Sequence, residues 1–109
     1  MAKKLTVEAM ELIAERFRIL SEPTRLRILH TLRNGELTVT ELTRELKLSQ
    51  PNASKHLRTL LESGLLKRRQ RGNSVFYAIA DESIFELCEV VCDSLEEKYK
   101  KRARVFALA

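Results

Sequence analysis

Gln50, Asn52, Ser54, Lys55 and Arg58 fall within nine consecutive residues. Amides, a hydroxyl and cations are the groups that hydrogen-bond base edges in a major groove, and the cations also bind phosphates. A second cluster lies near the C-terminus, where Cys88-Glu89-Val90-Val91-Cys92 holds the chain's two thiols four residues apart. On a helix, positions i and i+4 share a face with Cβ atoms about 5 to 6 Å apart. That exceeds the roughly 3.5 to 4.5 Å of a disulfide, so a direct bond would distort the helix. Metal–sulfur bonds of about 2.3 Å bridge a wider gap, and two such thiols can chelate one soft ion. A bridge of more than one sulfur spans it too, which makes reactive sulfur a competing chemistry.

Charge sets the first cluster apart. Residues 47–80 contain seven Lys or Arg (Lys47, Lys55, Arg58, Lys67, Arg68, Arg69, Arg71) against the single acid Glu62, a surplus of six. The rest of the chain has thirteen basic against fourteen acidic residues, so the net charge of +5 is a local surface. A charge run alone is most often a solvated face. Its coupling to a helix face of Gln, Asn and Ser points instead to a partner that offers phosphates and base edges.

Specific elements must hold these groups. Ser49 is a good N-cap and Pro51 suits a first helical turn. Ala53, Leu57, Leu60 and Leu61 form one apolar stripe, which predicts a helix over about 49–62 with Gln50, Asn52, Lys55, Arg58, Thr59 and Glu62 largely on the other side. Gly64 stops it, and residues 65–69 and 74–79 read as strands of a hairpin, a wing over about 65–79, around Gln70-Arg71-Gly72-Asn73. Upstream, Val7, Met10, Ile13, Phe17 and Leu20 mark a first amphipathic helix over about 5–20. Ser21 as cap and Pro23 in the first turn open a second, lined by Leu26, Leu29 and Leu32, that ends at Asn34-Gly35. Thr38 and Glu41 have capping-box spacing and start a short third helix through Leu42 and Leu46. The expected fold is mostly α with a small β-hairpin: a helix-turn-helix followed by a wing and a C-terminal helix.

Composition bounds the rest. With 109 residues, 44% of them hydrophobic, no Trp and three Gly, the chain suits one small domain spanning 1–109. No apolar run approaches the roughly 18 residues of a spanning helix, and the N-terminal MAKKLTVEAM lacks a secretory apolar segment. A cytoplasmic protein with no membrane partner is expected. Two cysteines are too few for a disulfide framework. Ile84, Leu87, Cys88, Val91, Cys92, Leu95 and Tyr99 follow helical spacing, so both cysteines also fit an ordinary apolar seam. That seam and the first helix are natural covers for each other in a dimer.

RFRILSEPTRLRILHTL, and then LTVTELTRELKLSQPNASKHLRTLLESGLLKRRQRGNSVFYAI, resembles the ArsR/SmtB family of bacterial winged-helix transcriptional repressors. The resemblance covers residues 14–80 and, more weakly, the C-terminal helix. It implies a homodimer paired through its terminal helices (about 5–20 and 81–105), a palindromic double-stranded DNA operator, and release when an inducer binds. It places Gln50, Ser54 and Lys55 at base edges, and Arg58, Arg69 and Arg71 at phosphates or the minor groove. Ser49, Asn52 and Asn73 complete the candidate DNA set. His56 matches a recurrent family histidine, though its position beside Leu57 favours packing or a phosphate bond over base readout. Thr38 and Thr40 suit phosphate contacts, and equally suit capping.

The departures concern the signal. The thiol cluster that some arsenic- and cadmium-sensing members carry on the third helix has no counterpart here, because residues 38–46 contain no Cys. The Asp and His pairs of zinc- and nickel-sensing members are absent too, since residues 81–109 contain no His. Cys88 and Cys92 remain as the candidate metal or redox site. No resident cofactor is required; the expected inducer is a soft metal or metalloid such as arsenite or antimonite. The alternatives are a reactive-sulfur or redox signal, no small-molecule input, or a protein-interaction module that does not bind DNA. His30 and His56 lie on separate helices and no phosphate loop or paired-carboxylate set is present, so an enzyme is not expected.

Overall fold

The computed structural model describes residues 3–100. Helices α1 (Val7–Leu20), α2 (Pro23–Leu32), α3 (Val39–Leu46) and α4 (Gln50–Glu62) lead into an antiparallel hairpin, β1 (Leu66–Arg71) and β2 (Ser74–Ile79), followed by α5 (Ser83–Lys98). The expected helices and hairpin are all present. The segment expected to be helical from 81 to 105 begins at Ser83, and its residues 101–105 lie outside the described residues.

Caps decide where the helices begin. Thr38 Oγ1 accepts from the Glu41 amide while Glu41 Oε1 accepts from the Thr38 amide, a complete capping box. Ser49 Oγ accepts from the Asn52 amide, and Pro51 sits in the first turn of α4. One expected cap moves. Ser21 closes α1, its hydroxyl donating to the Arg18 carbonyl, and the cap of α2 is Glu22, whose carboxylate accepts from the Thr24 amide. A carboxylate one residue from Pro23 reaches the free amides that a hydroxyl one residue earlier cannot.

The hairpin is tighter than the sequence suggested. Gln70 and Arg71 belong to β1, Arg71 pairs with Ser74, and only Gly72 and Asn73 turn the chain. Gly72 takes φ +62°, a left-handed value that costs a glycine little, at the first of two central residues. Leu37 exchanges two backbone bonds with Tyr77, at 3.2 and 2.8 Å, which lays residue 37 beside β2.

One apolar cluster joins these elements. Ile28, Leu29, Leu42, Leu57, Leu60 and Leu65 are its fully buried side chains, with Ile84 and Phe85 closing it from α5. The α4 stripe faces inward as its spacing required, although Leu61 is only half-buried. Ile19, Ile28 and Phe85 are core residues that the stripes did not include, and Leu26 lies at the edge of the cluster. The stripe on α1 behaves differently: Val7, Met10, Ile13 and Phe17 are 40–68% exposed.

Candidate nucleic-acid interface

Burial of Ala53, His56, Leu57 and Leu60 turns the opposite face of α4 to solvent. Ser49, Gln50, Asn52, Ser54, Lys55 and Arg58 are all exposed there. The first-turn amides of α4 add their share of the helix dipole's positive end to this surface. Thr40 is exposed at the start of α3, whereas Thr38 is half-buried with its hydroxyl engaged in the capping box. Lys67, Arg68, Arg69, Arg71 and Asn73 are exposed on the wing. Helix and wing thus both expose basic residues, and α4 adds an amide-rich strip.

His56 lies apart from the rest of the candidate set. It is 5% exposed and faces inward, so it is not available to a base edge. Arg25 Nε donates to His56 Nδ1 at 3.2 Å, and Arg25 Nη1 donates to the Ile19 carbonyl at 3.1 Å. An accepting Nδ1 requires the neutral ring with its proton on Nε2. That nitrogen lies 2.9 Å from Glu22 Oε2, a buried oxygen that has no well-aligned donor. The three side chains pin the middle of α4 to the start of α2. Arg27 Nη2 extends the fastening to α3 through the Leu46 carbonyl at 2.9 Å. Glu22 and Arg25 could not be assigned this role from spacing, because the contact spans 31 residues.

Burial pushes the His56 pKa down, and Arg25 and Lys55 add to the shift, while the nearby Glu22 charge pulls the other way. Protonation would place an N–H at Nδ1 against the Arg25 N–H. Because the folded pKa lies below the unfolded value of about 6.5, the unfolded chain binds the proton first as pH falls. The stability contribution is therefore present above about pH 6.5 and is lost as pH falls toward the folded pKa. His30 contributes in the same window, since burial and then Arg33 lower its pKa. The carboxylates of Glu15, Glu22 and Asp81 are also held low, and act below their ordinary values of 4.5, 4.5 and 3.8. Thermal melts should show a falling midpoint from pH 7.5 to 5, with a shallower fall in both His56→Gln and His30→Gln. An unchanged slope in His56→Gln would contradict the assigned ring state.

The wing arginines have partners in the free protein. Arg71 Nη2 lies 3.1 Å from Glu36 Oε1 and Arg69 Nε 3.9 Å from Glu36 Oε2. The Arg71 guanidinium also stacks over the Phe76 ring, 4.6 Å from its centroid. Glu36 carried no signal in the sequence, because only the sheet register brings it to the wing.

Cys88 and Cys92 are half-buried free thiols on α5. They line a groove of about 650 Å³ between α1, α2 and α5, together with Phe17, Leu20, Leu26, His30, Leu87 and Leu95. Burial raises the Cys88 pKa, and the Cys92 thiol adds to the shift. No group of three or more His, Cys, Asp or Glu positioned for a metal exists among the described residues, so one protomer offers two sulfurs there. No helix among the described residues is long and apolar enough to cross a membrane.

Residues 22–68 match the model of the arsR family of bacterial regulatory proteins. The chain is 34% identical to a transcriptional repressor SmtB homolog of Synechocystis, over 85% of this chain and 70% of that protein. It is 40% identical to the HTH-type transcriptional regulator MJ1325 of Methanocaldococcus jannaschii, over 78% of this chain and 97% of that protein. It is 46% identical to the arsenic resistance transcriptional regulator ArsR1 of Pseudomonas putida, over 61% of this chain and about half of that protein (52%). Among solved structures, Rv0081 of M. tuberculosis superposes with a TM-score of 0.78 at 33% identity, covering 89% of this chain and 98% of that one. A homodimeric winged helix-turn-helix domain from Mycobacterium bovis gives 0.71 at 31%, covering 85% and 91%. The antimony-specific repressor AntR gives 0.75 at 28%, covering 91% and 90%.

Proposed function

Because this chain belongs to the arsR family of bacterial regulatory proteins, DNA-binding winged-helix repressors and not enzymes, we propose that it is a cytoplasmic homodimeric repressor released from a palindromic operator by a thiol-reactive inducer at Cys88 and Cys92. The observation that carries the inducer site is the groove, which sets both thiols among apolar side chains at the junction of α1, α2 and α5.

Gln50, Asn52, Ser54 and Lys55 read base edges in the major groove, while Arg58, Ser49 and Thr40 hold phosphates beside it. The wing brings Arg69, Arg71 and Asn73 to the backbone or the minor groove. His56 acts from behind, fixing the helix that carries these groups.

The dimer forms through the exposed apolar faces of α1 and α5. Met10, Ile13 and Phe17 on one, and Val91, Leu95 and the C-cap Tyr99 on the other, are 37–50% exposed, apolar surface that a second copy would cover. A symmetric pairing brings two copies of the cysteine pair toward one axis, which raises the sulfur count from two to four.

Trivalent arsenic or antimony suits such a site, being thiophilic and able to displace thiol protons on binding. The similarity to an arsenic regulator and to an antimony-specific repressor supports this class of inducer. Reactive sulfur is the second reading, favoured by the isolation of the two thiols from any third ligand among the described residues. An operator-release assay with the purified protein separates the two. Arsenite or antimonite should free the operator duplex from the wild type, and Cys88→Ser with Cys92→Ser should leave DNA binding intact and abolish release. Release by polysulfide alone favours the second reading. Release of the double variant by the same ligands would return both cysteines to a packing role.

A further inference from the structure

Glu36 is an acid set within the basic surface, and the sheet register explains how it comes to be there. Leu37 pairs with Tyr77. Both pack against the core. Alternation along a strand turns the preceding residue, Glu36, to the other face. Arg69 pairs with Phe76 and Arg71 with Ser74, so these side chains share that second face. Since β2 lies between residue 37 and β1, two strand spacings, about 10 Å, separate Glu36 from the arginine backbones. The Arg71 side chain crosses Phe76 to reach it, as its 4.6 Å stacking shows.

The carboxylate is incompletely satisfied. Oε1 meets Arg71 Nη2 at 3.1 Å, but Oε2 is buried without a hydrogen-bond donor, because Arg69 Nε at 3.9 Å is too distant to form one. Carboxylate and phosphate oxygens take the same guanidinium N–H groups in the same planar geometry. A DNA backbone approaching the wing therefore meets arginines that already hold an anion.

The geometry points to Glu36 as an internal phosphate mimic: it occupies Arg71, and more loosely Arg69, in the free protein and must give them up when the wing meets a duplex. It thereby lowers the affinity for any DNA, whatever its sequence. The inference rests on the wing being a DNA contact, and the experiment separates the two.

Anisotropy titrations of a labelled random-sequence duplex would compare the wild type, E36Q, R71A, the E36Q/R71A double variant and E11Q. The last makes the same change of charge on α1, away from the basic surface. E36Q should bind roughly three- to tenfold more tightly at about 0.15 M salt, since an ion pair need no longer be broken in each protomer. Its slope of log K against log salt should steepen by about 1 to 2 for a dimer. E11Q should change affinity less than about twofold, and the gain from E36Q should shrink to that level in the R71A background. Unchanged or weaker binding by E36Q, or an equal gain without Arg71, would overturn the role of Glu36 while leaving the wing a DNA contact. If R71A itself binds every duplex as well as the wild type does, the wing reading fails and this inference fails with it.

Discussion

Raising monovalent salt from about 50 to 200 mM should weaken the complex with duplex DNA by about 10³- to 10⁴-fold. The magnitude follows from the basic surface on α4 and the wing. A dimer that neutralises about six to eight phosphates releases their counterions, and log K then falls against log salt with a slope near −5 to −7. Electrophoretic or anisotropy titrations across that range would measure it. A flat response would mean that Lys55, Arg58 and the wing cations are a solvated face, and would favour a protein-interaction role for this fold.

Leu57→Ala should lower the unfolding free energy by about 2 to 5 kcal/mol. Leu57 is 1% exposed beneath α4, so truncation removes buried methyls and leaves a cavity that α2 and α3 cannot easily fill. Against a total stability of about 5 to 15 kcal/mol, that is a large share of what holds the fold together. Urea denaturation would show a lower midpoint, while Leu61→Ala, at a half-buried position, should cost distinctly less. A loss below about 1 kcal/mol for Leu57 would mean that the helix is anchored mainly by the Glu22–His56–Arg25 contacts.

Much of this architecture could be read from spacing because its causes are local. Ser49, Pro51 and the Thr38–Glu41 box each act within one helical turn, and Ala53, Leu57 and Leu60 reveal the inner face of α4 by period alone. The exposed residues of the candidate interface follow by subtraction. What escaped depends on contacts distant in sequence. Glu36 meets Arg71 only through the pairing of Leu37 with Tyr77, and Arg25 meets His56 only after α2 packs on α4. Ser21 misled for a different reason: its hydroxyl bonds back to the Arg18 carbonyl of α1 and leaves the capping of α2 to Glu22. The cysteines were legible as a pair, but the groove they line is a product of three helices.

The wing is stiff at one end and free at the other. Leu66 and Ile79 root it in the core, the Ala80 amide donates to the Leu65 carbonyl at 2.9 Å, and the Leu37–Tyr77 pairing adds a brace at its base. Beyond Tyr77 the strand backbones bond only to each other, for three residues, or about 10 Å, with the Glu36 side chain reaching Arg71 from outside the hairpin. The hairpin is thus a cantilever, whose deflection grows toward the turn at Gly72 and Asn73. With the wing on a duplex as proposed, Arg71, next to that turn, would follow a backbone whose groove width varies from site to site, while Lys67, near the root, would keep its place. A single rigid fold can in this way adjust to duplexes of different shape without disturbing α4.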